Sequence, residues 1–293
     1  MVIKKNILVT GSNGQLGSCL KYISSDYNHN FIFKGKNDLD ITDFYRVEDF
    51  INKNKINIII NCAAYTNVNL AEINLVDCRD INSNAVDNIA KLCYKLNIQL
   101  IHISTDYVFG GKKQTPYNEN DRTNPINFYG LTKLEGEKNV LKYDLKDSMI
   151  IRTSWLYSNL KSNFLNKIIK KIDEKSKIKV VHDEVGSPTN AYDLAKIILD
   201  IIPNFQCKKT QIYHFSNLGF CSRYEFAKKI AEIVKKECFL TPINNSSSSL
   251  KRPKFSALDS SKIMKNFGIQ NNPWQTSLKT CLELNFTNLS YEI

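Results

Sequence analysis

The sequence predicts an α/β protein built on a doubly wound parallel sheet, with a small lobe formed by its C-terminal part. Two patterns indicate this class. The first half alternates short apolar runs rich in β-branched residues with longer segments of helical periodicity. A glycine-rich loop directly follows the first apolar run, as in many open parallel sheets. The 293 residues, 42% of them hydrophobic, suffice for one large domain with a buried core.

Five strands and four helices are predicted in the first half of the chain. Each predicted strand is a nearly continuous apolar run, which is typical of parallel strands covered by helices on both faces. The strands are predicted over residues 6–10, 31–33, 56–61, 99–104 and 149–153. The helices are predicted over residues 15–23, 43–53, 81–96 and 129–142. Right-handed crossovers between successive parallel strands would place these helices on both faces of the sheet.

The pattern becomes less regular after about residue 155. Helices are predicted over 164–174, 193–202 and 222–236, short strands over 179–182 and 212–215, and a surface loop over 244–249. We expect this part to form a lobe over the carboxyl ends of the strands, because open α/β sheets bind their ligands there.

Composition argues against several classes of protein. No stretch approaches the roughly 18–20 apolar residues of a membrane span, and the first strand begins too close to Met1 for a signal peptide, so we expect a cytoplasmic protein without a membrane partner. The eight cysteines are scattered without a Cys-x-x-Cys pair, which favours reduced thiols over disulfides or zinc. The net charge of +11 is spread along helix faces, so we expect no nucleic-acid partner.

The loop after the first strand has the spacing G-x-x-G-x-x-G, formed by Gly11, Gly14 and Gly17. Glycine permits a tight turn and lets backbone amides approach a pyrophosphate, and the following helix N-terminus favours the anion. This strand-loop-helix context predicts a dinucleotide site. We therefore expect a Rossmann-like dinucleotide-binding domain over residues 1–155. Residues 156–293 would form mainly a substrate-binding lobe, with some segments returning to the sheet.

A second group of residues has the chemistry of ketone reduction. Tyr129 and Lys133 are four residues apart and project from one face of a predicted helix, and Thr105 ends a predicted strand. Reduction needs a proton donor at the carbonyl oxygen, and the pKa of free Tyr, near 10, is high for that role. An ammonium at roughly 4 Å is worth about 4 kcal/mol at an effective dielectric of 20, so Lys133 is expected to lower the pKa of Tyr129.

The end of the second strand bears on the choice of cofactor. NAD sites usually carry an acid at this position, whereas here the strand continues into Lys34 and Lys36. A lysine could pair with the 2′-phosphate of NADPH, so the sequence favours NADPH with Lys34 as its contact. NADH stays open, because Asp38 and Asp40 lie close by. Both lysines could also be solvated loop residues.

The sequence resembles the dTDP-4-dehydrorhamnose reductases, a branch of the extended short-chain dehydrogenase/reductase superfamily. The resemblance covers nearly the whole chain in the same order. The matching stretches are GSNGQLG at 11–17, NCAAYTNV at 61–68, STDYVFGG at 104–111, PINFYGLTKLEGEK at 125–138, RTSWLY at 152–157, DEVGSPT at 183–189, YHFSNLGFCSRYEFA at 213–227 and RPKFSALD at 252–259.

The resemblance implies hydride transfer from NADPH or NADH to the C4 ketone of a dTDP-4-keto-6-deoxysugar, giving dTDP-L-rhamnose. The implied catalytic residues are Thr105, Tyr129 and Lys133, with Asp106 beside them at the substrate. The implied cofactor contacts are Gly11, Gly14, Gln15, Leu16, Gly17, Asp40, Ile41, Ala63, Ala64 and Tyr65, besides Tyr129 and Lys133. The implied substrate contacts are Val68, Trp155 and Arg252, besides Thr105 and Asp106. Asp40 could instead cap the following helix and Trp155 could be core.

Several positions depart from the family's pattern. Relatives often carry Asp at Asn69, Gln at Glu184 and Trp at Arg223, which bears on sugar recognition and not on hydride chemistry. Some relatives bind magnesium between subunits through acidic residues. Cys19 stands where one such acid would fall, so we expect no metal; a homodimer is left open.

Other functions stay open beside reduction of a dTDP-sugar. A nucleotide-sugar 4,6-dehydratase has the same Tyr and Lys. The dehydratases resemble one another in a Thr-Asp-Glu run, and here Tyr107 follows Asp106 in place of the Glu. A non-catalytic regulatory subunit, like that of methionine adenosyltransferase, resembles these reductases too. A sister reductase acting on a UDP-linked 4-keto sugar is the third alternative.

Overall fold

The centre of the fold is a six-stranded parallel sheet. A computed structural model describes residues 4–175, 177–245 and 250–284. The strands of the sheet are β1 (Asn6–Thr10), β2 (Asn30–Lys34), β3 (Ile58–Asn61), β4 (Gln99–Thr105), β5 (Met149–Thr153) and β10 (Gln211–His214). They lie in the order β10-β5-β4-β3-β1-β2, and every neighbouring pair is parallel. The predicted doubly wound α/β sheet is thereby confirmed, with the strand order reversing beside β1.

Helices cover both faces of the sheet, which explains the uninterrupted apolar runs of its strands. The helices on the two faces are α1 (Gln15–Ile23) and α8 (Ala191–Ile201) on one, and α2 (Phe44–Lys53), α5 (Ala85–Leu96) and α6 (Phe128–Leu141) on the other. Side chains along β1 alternate between these faces, so Ile7 and Val9 pack with α1 and α8, whereas Leu8 packs with α2 and α5. All three are fully buried.

The C-terminal lobe has a separate apolar core. It forms among α7 (Phe164–Asp173), α9 (Arg223–Val234) and α11 (Trp274–Glu283). Three strand pairs frame it: β6 (Leu156–Tyr157) with β9 (Thr189–Asn190), β8 (Val185–Gly186) with β11 (Cys221–Ser222), and β7 (Ile178–Val181) with β12 (Leu240–Ile243). Helix α10 (Ser261–Phe267) returns to the central sheet through the buried Ile263.

The structure differs from the prediction before α5. Two short helices, α3 (Val68–Ala71) and α4 (Leu75–Arg79), precede it, and residues 80–84 form a π-helical turn where a regular helix was predicted. The turn is shaped by packing, because α6 approaches so closely that a Cβ at Gly136 would lie 2.2 Å from Asn82 O. The predicted loop over 244–249 lies mostly outside the described residues. Over the described ranges, no helix combines the length and apolarity needed to cross a bilayer.

Candidate active site

A cavity of about 660 Å³ lies where the central strands end. The volume falls within the range of about 300–1,000 Å³ that is usual for small-molecule sites. Its walls come from the segments that follow β1 to β5 and from the lobe. The sequence-predicted site residues that line it are Gly11, Gly14, Gln15, Leu16, Gly17, Asp40, Ile41, Ala63, Ala64, Val68, Thr105, Asp106, Tyr129, Lys133 and Trp155.

The glycine loop forms one end of this cavity. Gly11 has a left-handed φ of +61°, and a Cβ there would lie 2.6 Å from Ala63 N. A Cβ at Gly17 would lie 2.5 Å from Ser12 Cα, so these two glycines allow the loop to pack against its neighbours. Gly14 is the N-cap of α1 and lines the cavity, and a Cβ on it would lie 3.2 Å from Gly11 O. This cradle at a helix N-terminus fits the pyrophosphate of a dinucleotide.

The same end of the cavity carries one of the two predicted lysines. Lys36 lines the cavity, whereas the Lys34 ammonium lies over the Phe50 ring, 5.2 Å from its centre, and Lys34 is outside the lining. Burial acts to raise the pKa of Asp40, but hydrogen bonds from Thr42 and the charge of Lys36 outweigh it, leaving the pKa below its usual value. Asp40 does not cap α2, whose N-cap is Asp43.

The three predicted catalytic side chains meet on one wall. Thr105 ends β4, and its hydroxyl donates to Asp106 Oδ1 at 3.1 Å. Tyr129 stands in the first turn of α6, and Lys133 follows one turn later with its Nζ donating to Ile103 O at 2.7 Å. Both side chains are buried, because α6 packs directly on the segment after β4; a Cβ at Gly130 would lie 2.2 Å from Tyr107 O.

Burial dominates the electrostatics of this wall. It raises the pKa of Tyr129 above its ordinary value, and contact with the Thr105 side chain only partly opposes the rise. It also lowers the pKa of Lys133 to about 8, although Glu137 acts in the opposite direction. The expected lowering of the Tyr129 pKa is therefore not what this structure shows, because desolvation of the phenol is the larger effect and the net pKa is raised.

Asp106 is a buried carboxyl group facing the cavity. It is 2% exposed, and burial raises its pKa to about 6 against the opposing effects of the Ser256 and Thr105 side chains. Within the described part of the chain, its Oδ2 has no hydrogen-bond partner. A buried acceptor without a partner is costly unless a ligand donates to it.

Trp155 also lines the cavity and has an unusual backbone conformation. Its backbone has a left-handed φ of +44°, and its indole fills the space beside Gly186, where a Cβ would lie 2.4 Å from the ring. The guanidinium of Arg223 stacks on this ring with its Cζ 3.5 Å from the ring centre. Arg223 also lines the cavity. The sequence analysis had noted Arg223 only as a departure from the family's pattern and had not predicted it as a site residue.

Two further predicted contacts lie next to the cavity and not in its lining. Arg252 donates from Nη2 to Asn69 Oδ1 at 3.0 Å, and its Nη1 is 3.9 Å from Glu184 Oε1. Tyr65 donates its backbone N–H to Asn82 Oδ1 at 2.9 Å, and its hydroxyl accepts from Asn74. The backbone around Tyr65 thus supports the Ala63–Ala64 wall.

A buried ion pair beneath the catalytic wall was missed by sequence reasoning. Glu137 accepts from Arg152 at 2.8 and 2.6 Å and from the Ser104 hydroxyl at 2.5 Å. It joins α6 to β4 and β5 one turn after Lys133. The four-residue spacing from Lys133 to Glu137 was the available signal, since both project from the same helix face.

Comparison with known proteins gives the same assignment as the geometry. Residues 5–286 match the family model described as RmlD substrate binding domain. The chain is 34% identical to the dTDP-4-dehydrorhamnose reductase of Aggregatibacter actinomycetemcomitans, over 93% of this chain and 97% of that one. It is 35% identical to the spore coat polysaccharide biosynthesis protein SpsK of Bacillus subtilis, with 94% and 96% covered.

A solved structure extends the comparison to three dimensions. The dTDP-4-dehydrorhamnose reductase of Bacillus anthracis, in complex with NADP, superposes with a TM-score of 0.90 at 33% identity, covering 97% of this chain and 99% of that one. The resemblance drawn from the sequence is confirmed, and the chain belongs to the RmlD family, with the dTDP-4-dehydrorhamnose reductases as its relatives.

Proposed function

We propose that this chain is an NADPH-dependent reductase of the C4 ketone of a dTDP-4-keto-6-deoxysugar, giving dTDP-L-rhamnose. The observation that carries the proposal is the convergence of Thr105, Tyr129 and Lys133 on one wall of a cavity whose end is a glycine cradle. Relatives that carry the reductase name, one of them with NADP bound, support the same activity.

The two parts of the chain contribute different residues to the cavity. Residues 1–155 supply the cradle, with Gly14 at the start of α1, and Lys36 at the far end for the 2′-phosphate. The region after residue 155 contributes Arg223, which stacks on Trp155 at the other end. NADH remains the alternative cofactor because Asp40 lies beside Lys36 and could accept from a ribose hydroxyl.

When bound, the nicotinamide supplies the hydride, and the protein's residues supply the proton and the orientation. The Tyr129 hydroxyl would donate its proton to the ketone oxygen as the negative charge develops there. Its raised pKa keeps it protonated at neutral pH, so the proton is available before each turnover. The Thr105 hydroxyl, on the same wall, can hold the ketone oxygen by a hydrogen bond.

Lys133 would favour the charged form of Tyr129 that remains after proton transfer. In this structure its ammonium is held by Ile103 O, which fixes it on the catalytic wall. Burial of both side chains strengthens this interaction, because a low local dielectric weakens the screening of charge.

The test removes a single hydroxyl. We expect Tyr129→Phe to lower kcat about 10²- to 10⁴-fold while the dissociation constant for NADPH stays unchanged. Tyr107→Phe is the matched control, since Tyr107 lines the same cavity with its ring centre 5.6 Å from that of Tyr129. Equal effects of the two substitutions would refute the proton-donor role.

The wild-type chain should be assayed with a panel of 4-keto nucleotide-sugars. Turnover with the dTDP-linked sugar supports the proposal, and preference for a UDP-linked sugar would favour the sister reductase. No turnover with any of them, together with tight binding to a partner protein, would favour the regulatory-subunit alternative.

A further inference from the structure

Arg223 is held rigidly at the mouth of the lobe. It is the first residue of α9, and its backbone N–H donates to Glu184 O at 3.2 Å. A capping box fixes this helix end, because the Ser222 hydroxyl accepts from Glu225 N at 3.1 Å and the Glu225 carboxylate accepts from Ser222 N at 2.7 Å. The side chain of Arg223 therefore extends into the cavity from a well-defined backbone.

The guanidinium of Arg223 is also positioned by aromatic rings. Its Cζ lies 3.5 Å from the centre of the Trp155 ring and 5.3 Å from that of Phe164. Stacking on a ring occupies the face of a guanidinium and leaves its N–H donors directed outward from the edge. The Trp155 platform is itself fixed beside Gly186, so the donors of Arg223 have a defined direction.

These donors have no acceptor in the described part of the chain. Among the residues that the structure describes, the Arg223 side chain makes no hydrogen bond and no ion pair within 4 Å, whereas Arg152 is paired with Glu137 and Arg252 contacts Asn69. The nearby Glu184 carboxylate instead accepts from Asn245 at 2.6 Å. Arg223 is partly exposed at the cavity, so its N–H donors are accessible to a ligand that supplies an acceptor.

The charges around Arg223 indicate what kind of ligand would supply the acceptor. Burial lowers the pKa of Arg223, and Arg252 lowers it further, which means that the two cations repel each other. Glu184 and Asp106 act in the opposite direction, each more strongly than Arg252, so desolvation of the guanidinium is the main cost that remains. An anion placed against Arg223 would compensate that cost. A planar guanidinium also matches two phosphate oxygens in a bidentate arrangement.

We propose that Arg223 binds the diphosphate of the nucleotide-sugar and thereby sets the affinity of this chain for its substrate. This inference rests on the proposed function, because it takes the substrate to be a nucleoside diphosphate sugar. The ketone end of that substrate would reach Thr105 and Tyr129, while the diphosphate would lie against the guanidinium stacked on Trp155. Asn69 and Glu184, the other two departures from the family's pattern, hold Arg252 beside it.

The test measures dTDP and thymidine binding by calorimetry on the NADPH-bound protein. We expect Arg223→Gln to weaken dTDP binding by about 10- to 150-fold, the effect of one charged hydrogen-bonding contact. Thymidine, which lacks phosphate, should bind the variant and the wild type alike. Arg223→Lys should lose less affinity for dTDP than Arg223→Gln, because lysine keeps the positive charge. It should still bind more weakly than the wild type, because lysine lacks the paired N–H donors of the guanidinium. The exposed Arg122 lies outside the cavity lining, so Arg122→Gln is the control and should leave both ligands unaffected.

Three other results are informative. Equal loss of dTDP and thymidine binding would overturn the proposal, because it would mean that Arg223 only shapes the cavity. Unchanged dTDP binding with a raised KM for the nucleotide-sugar would also overturn it, assigning Arg223 to the sugar. A wild-type protein that neither binds dTDP nor reduces the sugar would instead refute the proposed function, and the inference would fail with it.

Discussion

Replacing Asp106 with Asn removes a buried charge while keeping the shape of the side chain. The amide oxygen of Asn can still accept the hydrogen bond from the Thr105 hydroxyl, which reaches Asp106 Oδ1 at 3.1 Å. What changes is the cost of ionising a carboxyl group that is 2% exposed and whose Oδ2 lacks a partner within the described ranges. The substitution therefore tests whether the ionised Asp106 carboxylate destabilises the folded protein before the substrate binds.

The pKa shift of Asp106 sets both the sign and the size of the effect. Burial raises its pKa from 3.8 to about 6 in the folded protein. A carboxyl with a raised folded-state pKa favours folding most below its unfolded pKa, and this contribution is lost as the pH rises through about 6. Between pH 4.5 and pH 7.5 the wild type therefore loses about 2 kcal/mol that Asp106→Asn does not lose.

The assay is chemical or thermal unfolding of both proteins at pH 4.5 and pH 7.5. We expect Asp106→Asn to gain about 2 kcal/mol over the wild type on going to the higher pH, or about 3–4 °C in Tm. Asp121→Asn is the control and should show almost no pH dependence over this range, because Lys113 holds the pKa of Asp121 below its usual value despite burial and the group stays ionised in both states. A stability difference for Asp106→Asn that is independent of pH would refute the reasoning.

Two further predictions concern the cofactor and the framework of the site. Lys36→Asp should lower the ratio of kcat/KM for NADPH over NADH by about 10- to 150-fold, whereas Lys34→Asp should change it little; equal effects would show that the cavity lining does not decide cofactor choice. Glu137→Gln should lower the free energy of unfolding by about 3–5 kcal/mol, because it leaves Arg152 buried without its partner. Glu135→Gln, on an exposed pair, should cost about 0–1 kcal/mol in the same urea titration, and similar losses would contradict the argument.

The parts of the fold that follow from local pattern could be predicted from the sequence. Strands covered on both faces must be apolar throughout, so the run at Ile58–Asn61 was recognisable without its partners. The spacing of Tyr129 and Lys133 placed both on one helix face, and the glycine spacing after β1 identified the cradle. These signals lie within a few residues of one another along the chain.

The features that were missed depend on residues far apart in sequence. The left-handed backbone of Trp155 is accommodated by Gly186, and the π-helical turn at 80–84 is shaped by the approach of α6. Desolvation of Tyr129 depends on how deeply α6 packs, so its raised pKa could not be derived from the Tyr-Lys spacing. The direction of Lys34 was likewise decided by the position of the Phe50 ring.

The return of β10 to the edge of the sheet restricts how the two halves of the molecule can move and be exchanged. The chain leaves the sheet after β5, returns for α8 and β10, enters the lobe again at α9 and comes back once more with α10. Bending the lobe as a rigid body would have to flex each of these crossings together, so opening and closing is more easily achieved by individual loops than by a single hinge. For the same reason, grafting the lobe of a relative onto this sheet would need matched junctions at every crossing, and a single splice near residue 155 would also replace β10, the native neighbour on one side of β5.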